Sequence, residues 1–165
     1  MGSTDNWLVD QIIQSQSLKD KVEYVPFEGG GEVVTAVAGG QIVAGVSELG
    51  EMAPSIDAKK IRVVGVAANQ RVKQLPDNPT LKEQGIDAVL EKSRGFFGQK
   101  QIRANTVTAI AAALKVASET PEFQKHASDG AQVVAFQGPA EFAKTVESVA
   151  AQFKDFMAKA GITAK

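Results

Sequence analysis

Three short stretches in the first fifty residues place glycine or small hydroxyl side chains where helices are expected to begin. They are Gly2-Ser3-Thr4, Gly29-Gly30-Gly31 and Ser47. The first backbone N–H groups of a helix have no acceptor inside it, and the helix dipole turns its positive end toward them. Glycine lets a ligand approach such a backbone without meeting a Cβ, and successive N–H groups can form a concave nest. The chemistry these residues offer is recognition of a small anion. Any single one of these turns is explained as well by ordinary capping. Three of them at one edge of an open sheet point to an α/β domain with a small-anion site.

Other chemistry fails on particular residues. Gly29-x-Gly31 has the setting of a dinucleotide fingerprint, but its third small position falls on Val34, too bulky for close helix–strand packing. Gly45-Val-Ser-Glu-Leu-Gly50 has phosphate-loop spacing, yet Glu51 stands where a lysine is needed. Around Ser47 the second glycine comes one residue too late for a nucleophile elbow. His126 is the single histidine, and it reads as a solvated residue near a helix C-terminus rather than a catalytic base. With no cysteine and no histidine–carboxylate cluster, no metal or cofactor is expected, and the chain is not expected to be an enzyme.

Bulk properties narrow the class further. A formal net charge of −1, with both signs scattered, leaves no basic patch for nucleic acid. Apolar runs are too short to cross a bilayer. Met1-Gly2-Ser3-Thr4-Asp5 lacks the basic and apolar regions of a signal peptide, so the expectation is either a chain that stays in the cytoplasm as given or an export signal upstream in a longer parent.

The elements that would position these residues alternate in type. Ser3 or Thr4 caps a first helix with Leu8, Val9, Ile12 and Ile13 on its inner side. A second helix follows the glycine turn, with Val33, Val34, Val37 and Ala38 inward, and ends at Gly39-Gly40. A third runs from Ser47 to about Ala58, and a short one covers Leu81 to Gln84. Strands are expected over residues 22–26, 42–46, 61–67, 88–91, 95–98 and 133–136, the third of these buried on both faces. A long helix spans Thr106 to Ser118, Pro121 opens another, and Phe142, Val146, Val149, Phe153 and Phe156 mark a final amphipathic one. Strands alternating with helices predict a parallel α/β sheet.

Beyond spacing, several segments resemble the periplasmic binding component of tripartite tricarboxylate transporters. They are Tyr24-Val-Pro-Phe-Glu-Gly-Gly-Gly-Glu32, Gly39-Gly40-Gln41-Ile-Val-Ala-Gly45, Ile61-Arg-Val-Val-Gly-Val-Ala-Ala68 and, above all, Leu75-Pro-Asp-Asn-Pro-Thr-Leu-Lys-Glu-Gln-Gly85. Pro139-Ala-Glu-Phe142 and Ala160-Gly161-Ile162 continue the likeness to the end of the chain. The resemblance implies a two-lobed fold of the type II periplasmic-binding-protein kind that closes on a carboxylate and is read by membrane permease subunits. Position by position it implies a ligand site at Ser3, Thr4 and Asp5, at Phe27, Gly29, Gly30, Gly31 and Glu32, at Ser47 and Glu48, and at Arg94. Glu32 resembles the branch that binds citrate-like tricarboxylates, and dicarboxylates fit the same chemistry.

The likeness has departures. The family's first-lobe opening has no counterpart, Ser93 replaces a common aromatic residue, and Gln99-Lys100-Gln101 replaces a small, proline-rich stretch. The chain thus resembles a truncated binding protein. Residues 1–94 form a second-lobe-like α/β domain, and 95–165 hold the returning strand and C-terminal helices of an incomplete first lobe. Apolar helix faces past residue 103 predict a homo-oligomer, at least a dimer. The implied function is an extracytoplasmic, periplasmic solute-binding protein. The alternatives are a non-binding oligomerising remnant and, far behind, a Ser47-dependent enzyme.

Overall fold

The computed structural model describes residues 3–162. Gly2, part of the first glycine–serine turn, and residues 163–165 at the end of the expected C-terminal segment lie outside them. The chain divides into two compact units between Lys92 and Ser93.

In the first unit, α1 covers Thr4–Ser15, α2 Gly30–Ala38 and α3 Leu49–Asp57. Ser3 caps α1 by accepting a hydrogen bond from the Asn6 N–H at 3.1 Å, and the helix buries Leu8. Glycine at the cap of α2 leaves that helix start without a side-chain acceptor. The helix buries Val34 and Ala36, while Val33 and Val37 stay partly exposed.

No strand forms among the described residues, which corrects the sheet expected from residues 22–26, 42–46, 61–67, 88–91, 95–98 and 133–136. The one isolated bridge described is the parallel pair Val66 and Thr80. A β-branched run favours extended chain, but a strand exists only when a second segment takes up its N–H and C=O groups. Residues 43–45 and 61–64 instead line a shared cavity of about 740 Å³ with Val33, Val34 and Val37 of α2. Val43 and Val64 are exposed there rather than sandwiched. The parallel-sheet part of the predicted fold is therefore not formed here.

What holds residues 61–67 is the segment that carried the strongest resemblance. Thr80 and Glu83 make a reciprocal capping box. The Glu83 N–H donates to Thr80 Oγ1 at 3.1 Å, and the Thr80 N–H donates to Glu83 Oε2 at 2.7 Å. Asn78 Nδ2 donates to the Val63 carbonyl at 3.1 Å, and Gln84 Nε2 to that of Val64 at 3.0 Å. Gly85, at φ 77°, ends the turn in a left-handed conformation that a side chain would strain. Proline, threonine, glutamate and glycine are thus spaced here to build a latch.

The second unit is helical: α4 is Ala104–Ser118, α5 Pro121–Asp129 and α6 Pro139–Lys159. Thr120 caps α5, with Pro121 in its first turn. Gln124 Nε2 donates to the Ser118 carbonyl at 2.6 Å, tying α4 to α5. Phe142 stacks against Phe97 at 5.8 Å between ring centroids. Gly95 leaves room for the Phe142 ring, which a Cβ at that position would overlap. Phe156 is the buried anchor of α6.

Candidate functional site

The starts of α1, α2 and α3 are linked through the start of α3. Asp5, in the first turn of α1, accepts a hydrogen bond from Lys92 Nζ at 3.0 Å. Glu48, at the N-cap of α3, accepts from the same ammonium at 3.3 Å. Lys92 thereby ties two helix starts 87 and 44 residues away in sequence. Partial burial works against its charge, but hydrogen bonds and Coulombic attraction from Asp5 and Glu48 outweigh it and raise the Lys92 pKa above its ordinary value.

The link to α2 runs through Ser47 and Glu51. Ser47 Oγ donates to Glu51 Oε2 at 2.8 Å. Both groups press on Gly30, the first residue of α2, where a Cβ would collide with the carboxylate and the hydroxyl. One turn away, Glu32 folds back to accept the Glu28 N–H at 3.1 Å. Three positive helix ends are thus connected through one short segment, Ser47 to Glu51.

The structure places the residues expected from sequence unevenly. Asp5 and Glu48 meet at Lys92, and Gly30 meets Ser47. Ser3 is spent on capping α1, and Thr4 begins that helix. Gly29 is the α2 cap, Gly31 follows within the helix, and a Cβ at either would meet open space. Glu32 is engaged with its own turn. Phe27 is half-buried just before the glycines. Arg94 falls in the second unit, beyond the division at Lys92.

Sequence reasoning passed over Lys92 and Glu51 as participants. No spacing rule connects residue 92 to residue 5. Glu51 registered as the residue that spoils a phosphate loop, and its carboxylate does stand at a helix start where an anion would sit. No group of three or more potential metal ligands occurs among the described residues.

Helix starts joined around small residues, without a nucleotide fingerprint, suit a protein that holds a small solute. Residues 1–162 match the family described as the tripartite tricarboxylate transporter family receptor, and the chain belongs to that family. It is similar to the UPF0065 protein in the gbd 5′ region of Cupriavidus necator, with 26% identity over 115 residues, covering 68% of this chain and 35% of that protein. It is also similar to the UPF0065 protein in the TAR-I ttuE–ttuC′ intergenic region of Agrobacterium vitis. There the identity is 28% over 115 residues, covering 69% of this chain and 33% of the relative. The chain thus spans about a third of the length of these curated relatives. The family is one of receptors for solutes rather than of catalysts. No helix among the described residues is long and apolar enough to cross a membrane.

Proposed function

We propose that the chain contributes to holding a small carboxylate, citrate-like or a dicarboxylate, in the periplasm for the membrane subunits of a tripartite transporter. The observation that carries this is the linkage of three helix starts through Ser47, Glu48, Glu51 and Lys92. Helix starts attract carboxylate through backbone N–H groups and the dipole, so the recognised group is the carboxylate itself rather than one particular skeleton. Asp5 and Glu48 use the charge of Lys92 to fix α1 and α3, which leaves the glycine-lined start of α2 as the approach for ligand. Catalysis has no part in this proposal: Ser47 spends its proton on Glu51.

Isothermal titration of the chain with citrate, succinate and tricarballylate, against the triamide of citrate, tests the proposal. Saturable heat with the acids and none with the amide is the expected result. Equal heats for acid and amide, or none with any acid, would overturn it.

A second reading, self-association, rests on a separate observation. Phe96 and Phe97 are each 78% exposed and Val133 is 75% exposed, all in the second unit. Apolar side chains left in water at that density favour pairing of copies. Light scattering at micromolar concentration is expected to give a mass of at least twice the chain's 17.4 kDa. A monomer would remove this second reading and leave the first intact.

A further inference from the structure

The cavity beside α2 and α3 has no part in the linkage of the helix starts. At about 740 Å³ it is within the size range of small-molecule sites. Val33 and Val37 of α2, Met52 and Ile56 of α3, and Val63 give it aliphatic walls, and no aromatic ring is among its lining residues. Val43 and Val64 also line it and are exposed, so the space is open to solvent. Its charged lining is of one sign: Lys59, Lys60 and Arg62, with no carboxylate. Among the described residues none of these three cations is paired with an acid. Lys59 and Lys60 follow the C-terminus of α3, but that end of a helix carries only about half a negative charge. Most of their charge is left uncompensated. Ser47 stands before the other end of this 9-residue helix, roughly 13 Å away along its axis.

We propose that this cavity binds a single-chain aliphatic anion of the medium-chain fatty acid class. The alkyl tail packs among the valines, Met52 and Ile56, and the anionic head meets Lys59, Lys60 and Arg62. This site is separate from the one proposed at the start of α2 and does not rest on it. Aliphatic walls without rings suit a flexible chain better than a planar aromatic acid. The walls face water while the cavity is empty, so a tail that fills it removes apolar surface from water on both sides. The three cations are exposed, and solvent screens them, so the tail supplies most of the affinity and the head selects the sign of charge. A second copy docking through the same face would bring like cations together, which disfavours it as the occupant.

Calorimetric titration of the full chain with hexanoate, octanoate and decanoate tests this, with octanol as the tail alone and acetate as the head alone. Each added pair of CH₂ groups is expected to tighten binding roughly tenfold. Octanol is expected to bind several-fold more weakly than octanoate, and acetate to give no heat. Combining Lys59→Gln, Lys60→Gln and Arg62→Gln should bring octanoate down to the level of octanol, with circular dichroism verifying helix content. If that variant does not fold, raised salt on the wild-type chain makes the same comparison, since it should narrow the gap between octanoate and octanol. No binding, or an affinity that ignores tail length, would overturn the site. Octanol binding as tightly as octanoate would overturn the role of the cations and with it the anionic class. Octanoate binding is expected to be unchanged in the presence of citrate; competition between the two would overturn a separate site. A chain that takes octanoate but not citrate would remove the carboxylate proposal at α2 and leave this one standing.

Discussion

Lys92 ties the starts of α1 and α3 together at the candidate site. It faces Asp5 and Glu48 while more than a third of its side chain remains in water, so solvent screening limits what either pair contributes. Lys92→Met leaves two carboxylates at helix starts without their shared cation. The expected loss in stability is about 1 kcal/mol or less, shrinking in 0.5 M salt, as read by urea unfolding. A loss that ignores salt would mean Lys92 matters through packing. Gly30→Ala acts differently. Its Cβ collides with the ends of two side chains rather than with backbone, and alanine is the better helix former. The chain is expected to keep its fold, with a melting temperature within a few degrees of wild type, and to lose citrate binding in calorimetry. Retained binding would move the ligand away from α2.

At the scale of elements, the helices were largely legible and the strands were not. Ser3, Gly39 and Pro121 mark helix ends through local chemistry, and the spacing of Phe142, Val146, Val149, Phe153 and Phe156 appears as α6. Residues 61–67 read as a buried strand because valine dominates them, yet burial and pairing depend on a second segment that local sequence does not specify. Lys92 escaped notice for the same reason, since its partners lie far off in sequence. The segment Pro79 to Gly85 is the converse case: its residues stood out by resemblance, and the structure gives them a structural role. Thr80 is buried and closes the capping box, so Thr80→Ala is expected to cost about 1 kcal/mol in a denaturant melt. The hydrogen bond from the Thr80 backbone does most to lower the Glu83 pKa; desolvation opposes it, and the Arg71 hydrogen bond and charge lower it further. As pH falls, the unfolded chain therefore binds its proton at this position before the folded one does. The stabilisation is complete above the ordinary carboxylate range and is lost as pH drops through the lowered folded pKa. Glu83→Gln should be less stable than wild type at pH 7, and the difference should narrow as pH falls through the carboxylate range. A constant difference would mean the carboxylate's charge is irrelevant to the latch.

For the molecule as a whole, the division at Lys92 and Ser93 is the main organising feature. Residues 93–100 are exposed and belong to no helix, so limited trypsin digestion is expected to cut first after Lys92, Arg94 or Lys100. A first cut inside α4 or α6 would contradict that order. Each half leaves apolar surface uncovered, at Val43 and Val64 in the first and at Phe96, Phe97 and Val133 in the second. Family membership covers the whole described chain, while the linked helix starts all lie before residue 93. The carboxylate site we propose thus lies in the first unit, and the surface we propose for association in the second.

The central claim is that a carboxylate sits at the start of α2, beside Ser47. Nitrogen-15 labelled chain titrated with citrate and followed by amide chemical shifts tests it most directly. Saturable shifts concentrated at Gly29, Gly30, Gly31 and Ser47, with little change in α4 to α6, are the predicted result. Saturation with those four amides unmoved would contradict it.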